Sequence, residues 1–124
     1  MVYRLYADAT LKDGRFGWGL VLKSEDLTIE SSGPGSRGVN QSELIAVLEG
    51  LRRVPDASEV IVHTDSVYVL QASRGHGRGF QGYLREQLLA QLQRLNVSFI
   101  KVGKGCGPCA DHRQAHHLAR EAVA

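Results

Sequence analysis

Asp8, Glu43 and Asp65 are the residues of this 124-residue chain whose types and spacing suit joint chemistry. Asp8 closes an apolar run in Tyr6-Ala7-Asp8-Ala9-Thr10, and Asp65 follows the apolar segment Val60-Ile61-Val62 in His63-Thr64-Asp65-Ser66. Glu43 falls in the first turn of a helix read between the two. Neighbouring strands running the same way would bring Asp8 and Asp65 to one edge of a sheet, where open α/β sheets usually hold their ligands. Each acid also has a structural reading: Asp65 as the cap of the helix that follows, Glu43 as half of a capping box with Asn40, and Asp8 as a polar strand end. Together, crowded carboxylates repel one another unless a cation neutralises them. Carboxylate oxygens suit Mg²⁺ or Mn²⁺. Two such ions roughly 3.5–4 Å apart clamp the attacking and leaving oxygens of an in-line phosphodiester cleavage, so the expected chemistry is metal-dependent cutting of nucleic acid.

The elements that must position these acids follow from hydrophobic periodicity. Residues 2–7 read as a strand, and Phe16, Trp18, Leu20 and Leu22 alternate at period two. Leu27 and Ile29 continue the alternation after a tight Ser24-Glu25-Asp26 connection, and Gly33-Pro34-Gly35-Ser36 should then break the sheet. The period changes at Leu44, Val47, Leu48 and Leu51, one face of a helix whose start the Asn40–Glu43 pair would fix. Val60-Ile61-Val62 suits a buried central strand, and a short helix is expected over residues 66–72. A glycine-rich loop spans residues 73–79. Leu84, Leu88, Leu92 and Leu95 mark another helix, residues 97–102 another strand, and a last helix is read from about His112. The order β-β-β-α-β-α-α-β-α predicts an α/β fold with a mixed sheet flanked by helices.

Whole-chain properties bound the partners. The length suits one domain, residues 1–124, able to bury roughly two-thirds of its unfolded surface without disulfides. A hydrophobic share of 43%, a charged share of 23% and a formal charge of +2 are those of an ordinary globular protein, and they permit a nucleic-acid partner without demanding one. No signal peptide or membrane-spanning run is read, so no membrane partner, a cytoplasmic location and a monomer are the expectations.

Several blocks carry a resemblance. Tyr6-Ala7-Asp8 with Gly17-Trp18-Gly19, Asn40-Gln41-Ser42-Glu43-Leu44, Thr64-Asp65-Ser66-Val67-Tyr68-Val69 and Leu118-Ala119-Arg120-Glu121-Ala122 resemble, in order and spacing, type 1 ribonuclease H over nearly the whole chain. The resemblance implies a ribonuclease H-like fold: a five-stranded mixed sheet, three antiparallel strands then parallel ones, with catalytic acids on the first strand, first helix and fourth strand. Asp8, Glu43 and Asp65 match the first three acids of that family. Hydrolysis of the RNA strand of an RNA/DNA hybrid with two ions of Mg²⁺ or Mn²⁺ is the implied activity. Thr10 and Asn40 fall near family positions that contact the hybrid.

The chain departs from the family at two places. The fourth acid would lie two residues before Leu118-Ala119, where this sequence has His116. Lys104-Gly105 is followed by Cys106 where the family tends to carry a histidine. His116 is therefore read either as a catalytic metal ligand, as resolvases of the same fold use a histidine in that region, or as a partly exposed helix residue. Asp111 is the other candidate fourth acid, although with Gln114 it also makes a good capping box. These departures keep a second function open, a catalytically weakened nucleic-acid-binding module of the same fold, and a third, another nuclease acting on double-stranded RNA or branched DNA. Cys106, Cys109, His112 and His116 could instead hold zinc, or the two cysteines could act in redox chemistry or simply belong to a loop. Arg74 and Arg78 in the glycine-rich loop are the expected substrate contacts, with Lys101, Lys104 and Arg113 as further phosphate contacts. The longer basic protrusion of many family members is missing there, which predicts weak, salt-sensitive binding.

Overall fold

The computed structural model describes residues 2–74, 82–102 and 110–124. Among these, β1 (Val2–Lys12), β2 (Arg15–Lys23), β3 (Thr28–Pro34), β4 (Glu59–Thr64) and β5 (Asn96–Lys101) form one sheet in the order β3-β2-β1-β4-β5. The first three strands are antiparallel, and β4 and β5 continue the sheet in parallel. The helices α1 (Val39–Leu51), α2 (Val67–Ser73), α3 (Gly82–Arg94) and α4 (Ala110–Glu121) complete the fold read from the sequence, a five-stranded mixed sheet flanked by helices. No helix among the described residues is long and apolar enough to cross a membrane.

Strand alternation sorts side chains onto two faces. Tyr3, Leu5 and Ala7 of β1 lie level with Leu20 and Leu22 of β2 and with Val60 and Val62 of β4, and all join one buried core. Leu44, Val47, Leu48 and Leu51 of α1 close that core, joined by Val69 of α2 and Leu88 of α3. Each such side chain taken out of water contributes about 1.5–3 kcal/mol, so apolar burial holds the layer together. Gly50 lets α1 lie directly on the Leu5 side chain, which an added β-carbon would strike.

The opposite face receives α4. Trp18 points into the core while Gly17 and Gly19, on either side of it, present bare backbone to the helix. A β-carbon on Gly19 would run into the carbonyl oxygen of Ala115 and stand 2.6 Å from the backbone nitrogen of Ala119. Ala115 and Ala119 are both fully buried, so small residues on both sides bring the helix close to the sheet.

Four local expectations are corrected. β1 does not end near Asp8 but runs on to Lys12, because its antiparallel pairing with β2 outlasts its parallel pairing with β4, whose last pair is Tyr6 with His63. The two antiparallel strands meet at Asp13-Gly14, both with positive φ (52° and 75°), a turn whose twist matches that of the hairpin. Leu27 lies outside β3 and is exposed, while β3 continues through Gly33 and Pro34. That strand is the sheet edge, where a missing proline N–H leaves no partner unpaired. The Asn40–Glu43 capping box does not form: α1 starts at Val39 behind Gly38, with no side-chain cap. The Ser42 hydroxyl holds this entry instead, donating to the Gly38 carbonyl at 2.7 Å and accepting from the Ser36 N–H at 3.1 Å.

Gly19→Ala is expected to lower stability by about 1–3 kcal/mol, the usual cost of overpacking, as read from urea-unfolding midpoints. An unchanged midpoint would mean that α4 does not sit on this glycine.

Candidate metal centre

Asp8 lies where β4 has stopped pairing with β1 but β2 has not. Asp65 is the residue after β4, so the two acids meet at the end of the β1–β4 pair, Asp8 buried and Asp65 exposed. Glu43, in the second turn of α1, is buried and directed to the same end. Thr64 Oγ1 donates to Glu43 Oε1 at 2.5 Å and accepts from the Ser66 N–H at 3.1 Å, which locks both hydroxyl and carboxyl in place. The charge of the neighbouring Asp65 carboxyl acts on Glu43 as well.

The structural readings of the acids lose ground on this geometry. Ser66, not Asp65, caps α2, its hydroxyl accepting from the Val69 N–H at 3.2 Å. Glu43 caps nothing, because its carboxyl is engaged with Thr64. Asp8 is a buried carboxyl inside a strand rather than an exposed strand end.

Electrostatics at the cluster run against negative charge. Burial pushes the Glu43 carboxyl up to about 9; the Thr64 hydrogen bond opposes this, and Asp65 and Asp8 add to it. Asp8 is also raised, first by burial and then by the charge of Asp65, while the Ala9 N–H, His112 and His116 work in the other direction. A cation among these groups would relieve both the repulsion and the burial of charge.

α4 supplies the remaining side chains. The pairing of Asp8 with Gly19, on which α4 rests, places the helix beside the acid. His116 Nδ1 lies 2.7 Å from Asp8 Oδ2, and the Ala9 N–H donates to Asp8 Oδ1 at 2.9 Å. His112, one turn earlier, has a ring nitrogen in a group of possible ligand atoms with Asp8 and Asp65, all within 4.8 Å of one another. Neither Glu43 nor His116 belongs to that group. Asp111 points elsewhere: it pairs with Lys23 at 2.7 Å and borders a groove of about 720 Å³ lined also by Arg4, Tyr6 and Ile61.

The other predicted site residues are spread around this centre. Thr10 is half-buried on β1, two residues beyond Asp8, and Asn40 is exposed in the first turn of α1. Arg74 is exposed at the C-terminal end of α2, Lys101 is exposed at the end of β5, and Arg113 is exposed on α4. Arg78, Lys104, Cys106 and Cys109 lie outside the described residues. The sequence reading did not assign Thr64 to the site, and it placed His112 only in a zinc set. The i, i+4 spacing of His112 and His116 was the available signal, since it puts both on one helix face.

Comparison with known proteins bears on the family and the fold. The RNase H family model matches residues 2–124. Ribonuclease H of Rhizobium meliloti is 40% identical over 125 residues, covering 89% of this chain and 81% of that protein. Ribonuclease H of Bordetella avium is 38% identical over 60 residues, 47% of this chain, and the match spans only 39% of that protein's length. Among solved structures, the N-terminal RNase H domain of a Mycobacterium tuberculosis protein superposes with a TM-score of 0.81 at 23% identity, over 100% of both chains. LC11-RNase H1, solved in complex with an RNA/DNA hybrid, superposes with a TM-score of 0.72 at 23% identity, over 98% of this chain and 96% of that one. With the match extending over residues 2–124, the chain belongs to the RNase H family.

Proposed function

We propose that this chain hydrolyses the RNA strand of RNA/DNA hybrids at Asp8, Glu43 and Asp65, using two divalent ions, Mg²⁺ or Mn²⁺. The observation that carries this reading is the convergence of three carboxyl groups, two of them buried, at the end of the β1–β4 pair. The donor set fits such ions: hard carboxylate oxygens, crowded enough to raise the affinity of Glu43 and Asp8 for a positive partner. Family membership supports the reaction class, and the hybrid-bound LC11-RNase H1 supports the substrate.

Divalent ions held there would supply Lewis acidity and a template for in-line displacement at phosphorus. The chain's own residues do the rest. Thr64 holds the Glu43 carboxyl, and Ala9 and His116 hold that of Asp8, so neither acid must reorganise when substrate arrives. Thr10, Asn40, Arg74 and Arg78 are the proposed contacts to the hybrid. A second reading, a binding module with weakened catalysis, is favoured by His116 standing at the family's fourth acid position and being engaged with Asp8.

A labelled RNA/DNA hybrid incubated with the purified chain and Mn²⁺ separates the two. Cleavage is expected, and Asp65→Asn or Asp8→Asn should reduce its rate by about 10²-fold or more, the usual scale for losing one transition-state stabiliser. Hybrid binding without cleavage above the Asp65→Asn control would favour the binding module.

The carboxyls also make the metal-free fold pH-sensitive in a definite direction. Glu43 and Asp8 hold their protons more tightly folded than unfolded, so stability is greatest in mild acid and falls as pH rises toward the Glu43 value of about 9. One such proton limits the slope to about 1.4 kcal/mol per pH unit. Urea midpoints in chelator should drop between mild acid and mild alkali, Glu43→Gln should flatten the trend, and Mn²⁺ should oppose it. A midpoint that climbs with pH would contradict the assignment.

A further inference from the structure

His112 and His116 of α4 are one turn apart on one face, yet they meet the carboxylates differently. His116 Nδ1 makes a 2.7 Å contact with Asp8 Oδ2, and its side chain is 47% exposed. That contact uses the ring as a hydrogen-bond donor, the arrangement by which a second residue orients a metal-binding group. His112 is half-buried, and its Nε2 is enclosed with no hydrogen-bond partner among the described residues. A buried imidazole nitrogen left in that state costs about 1–3 kcal/mol unless something satisfies it. A ring nitrogen of the same residue completes a cluster with Asp8 and Asp65, ligand atoms within 4.8 Å of one another. Three such groups around one point can share one cation.

We propose that His112 is the nitrogen ligand of a divalent ion seated on Asp8 and Asp65, and that His116 is a positioning residue that fixes Asp8 for that ion. The assignment rests on the carboxylates being a metal site and deepens that reading. It separates two tasks that sequence position alone would give to His116. Ligand softness sets the consequence. Oxygen-only centres suit Mg²⁺, whereas an imidazole nitrogen favours borderline transition ions, so this centre should prefer Mn²⁺, Co²⁺ or Zn²⁺ to Mg²⁺. A water on Nε2 is the competing explanation, and it predicts no nitrogen at the metal.

The test uses the full chain stripped of metal and given Mn²⁺ alone, without nucleic acid. Mn²⁺ affinity is read by paramagnetic resonance titration, and nitrogen ligation by the ¹⁴N modulation of the electron spin echo. The wild-type chain should show histidine nitrogen coupling, and Mg²⁺ should compete poorly. His112→Ala should abolish the coupling and weaken Mn²⁺ binding by about tenfold or more. His116→Ala should keep the coupling while weakening affinity, and His116→Asn, which retains a donor, should recover part of it. His112→Gln, closer in volume, replaces His112→Ala if that variant does not fold. Coupling that survives the loss of His112, or disappears with His116, overturns the assignment. Mn²⁺ bound with no nitrogen coupling overturns it too while leaving the carboxylate site standing. No Mn²⁺ binding at all overturns the metal site together with this assignment.

Discussion

Carboxyl groups resist being gathered out of water, and the RNase H chain described here gathers them anyway. Asp8 and Glu43 are buried, Asp65 stands beside them, and burial is the largest of the causes that together push Glu43 up to about 9. A cluster of this kind is tolerated only if neighbouring structure enforces it. The enforcement is visible on every side: Thr64 on Glu43, the Ala9 N–H and His116 on Asp8, and Ser66 Oγ holding the turn that follows Asp65. The centre is therefore rigid where a divalent ion needs rigidity, and its unfavourable electrostatics favour uptake of positive charge.

The fold supplies that rigidity through two packed faces. On one, α1 lies on the apolar side of β1 and β4, and the approach allowed by Gly50 sets the helix against Leu5. Its register then brings Glu43 to the end of the sheet. On the other, α4 rests on Gly17 and Gly19, and the same contact carries His112 and His116 to Asp8 and its neighbours. Each side chain at the site thus inherits its place from a backbone contact made elsewhere. Small changes at those contacts would be felt at the carboxyl cluster, because positioning errors near 1 Å are costly in catalysis.

Asp111 illustrates how nearby charge is kept apart from the centre. It is an acid on the same helix, one residue from His112, yet it is turned to Lys23 across the groove that Tyr6 also lines. Helical geometry makes this unavoidable, since adjacent residues point about 100° apart. The helix therefore offers His112 and His116 to the carboxylates and Asp111 to a lysine.

Much of this was legible in the sequence. Period-two and period-3.6 patterns located the strands and helices, since burying one face is a local requirement written along the chain. Family-like blocks around Asp8, Glu43 and Asp65 marked the acids that the structure brings together. Element ends were less legible: nothing in residues 2–12 says that β2 will pair with β1 further than β4 does, or that Pro34 will sit on an edge. The roles of single side chains were least legible of all. Asn40 and Glu43 have capping-box spacing, but the competing partner of Glu43, Thr64, lies 21 residues away. Local spacing thus determined which residues share a face and which chemistry they suit. Tertiary structure alone decided that Glu43 faces the acids, that Asp111 faces Lys23 and that His112 and His116 meet Asp8 in different ways, because those outcomes depend on how closely α1 and α4 approach the sheet.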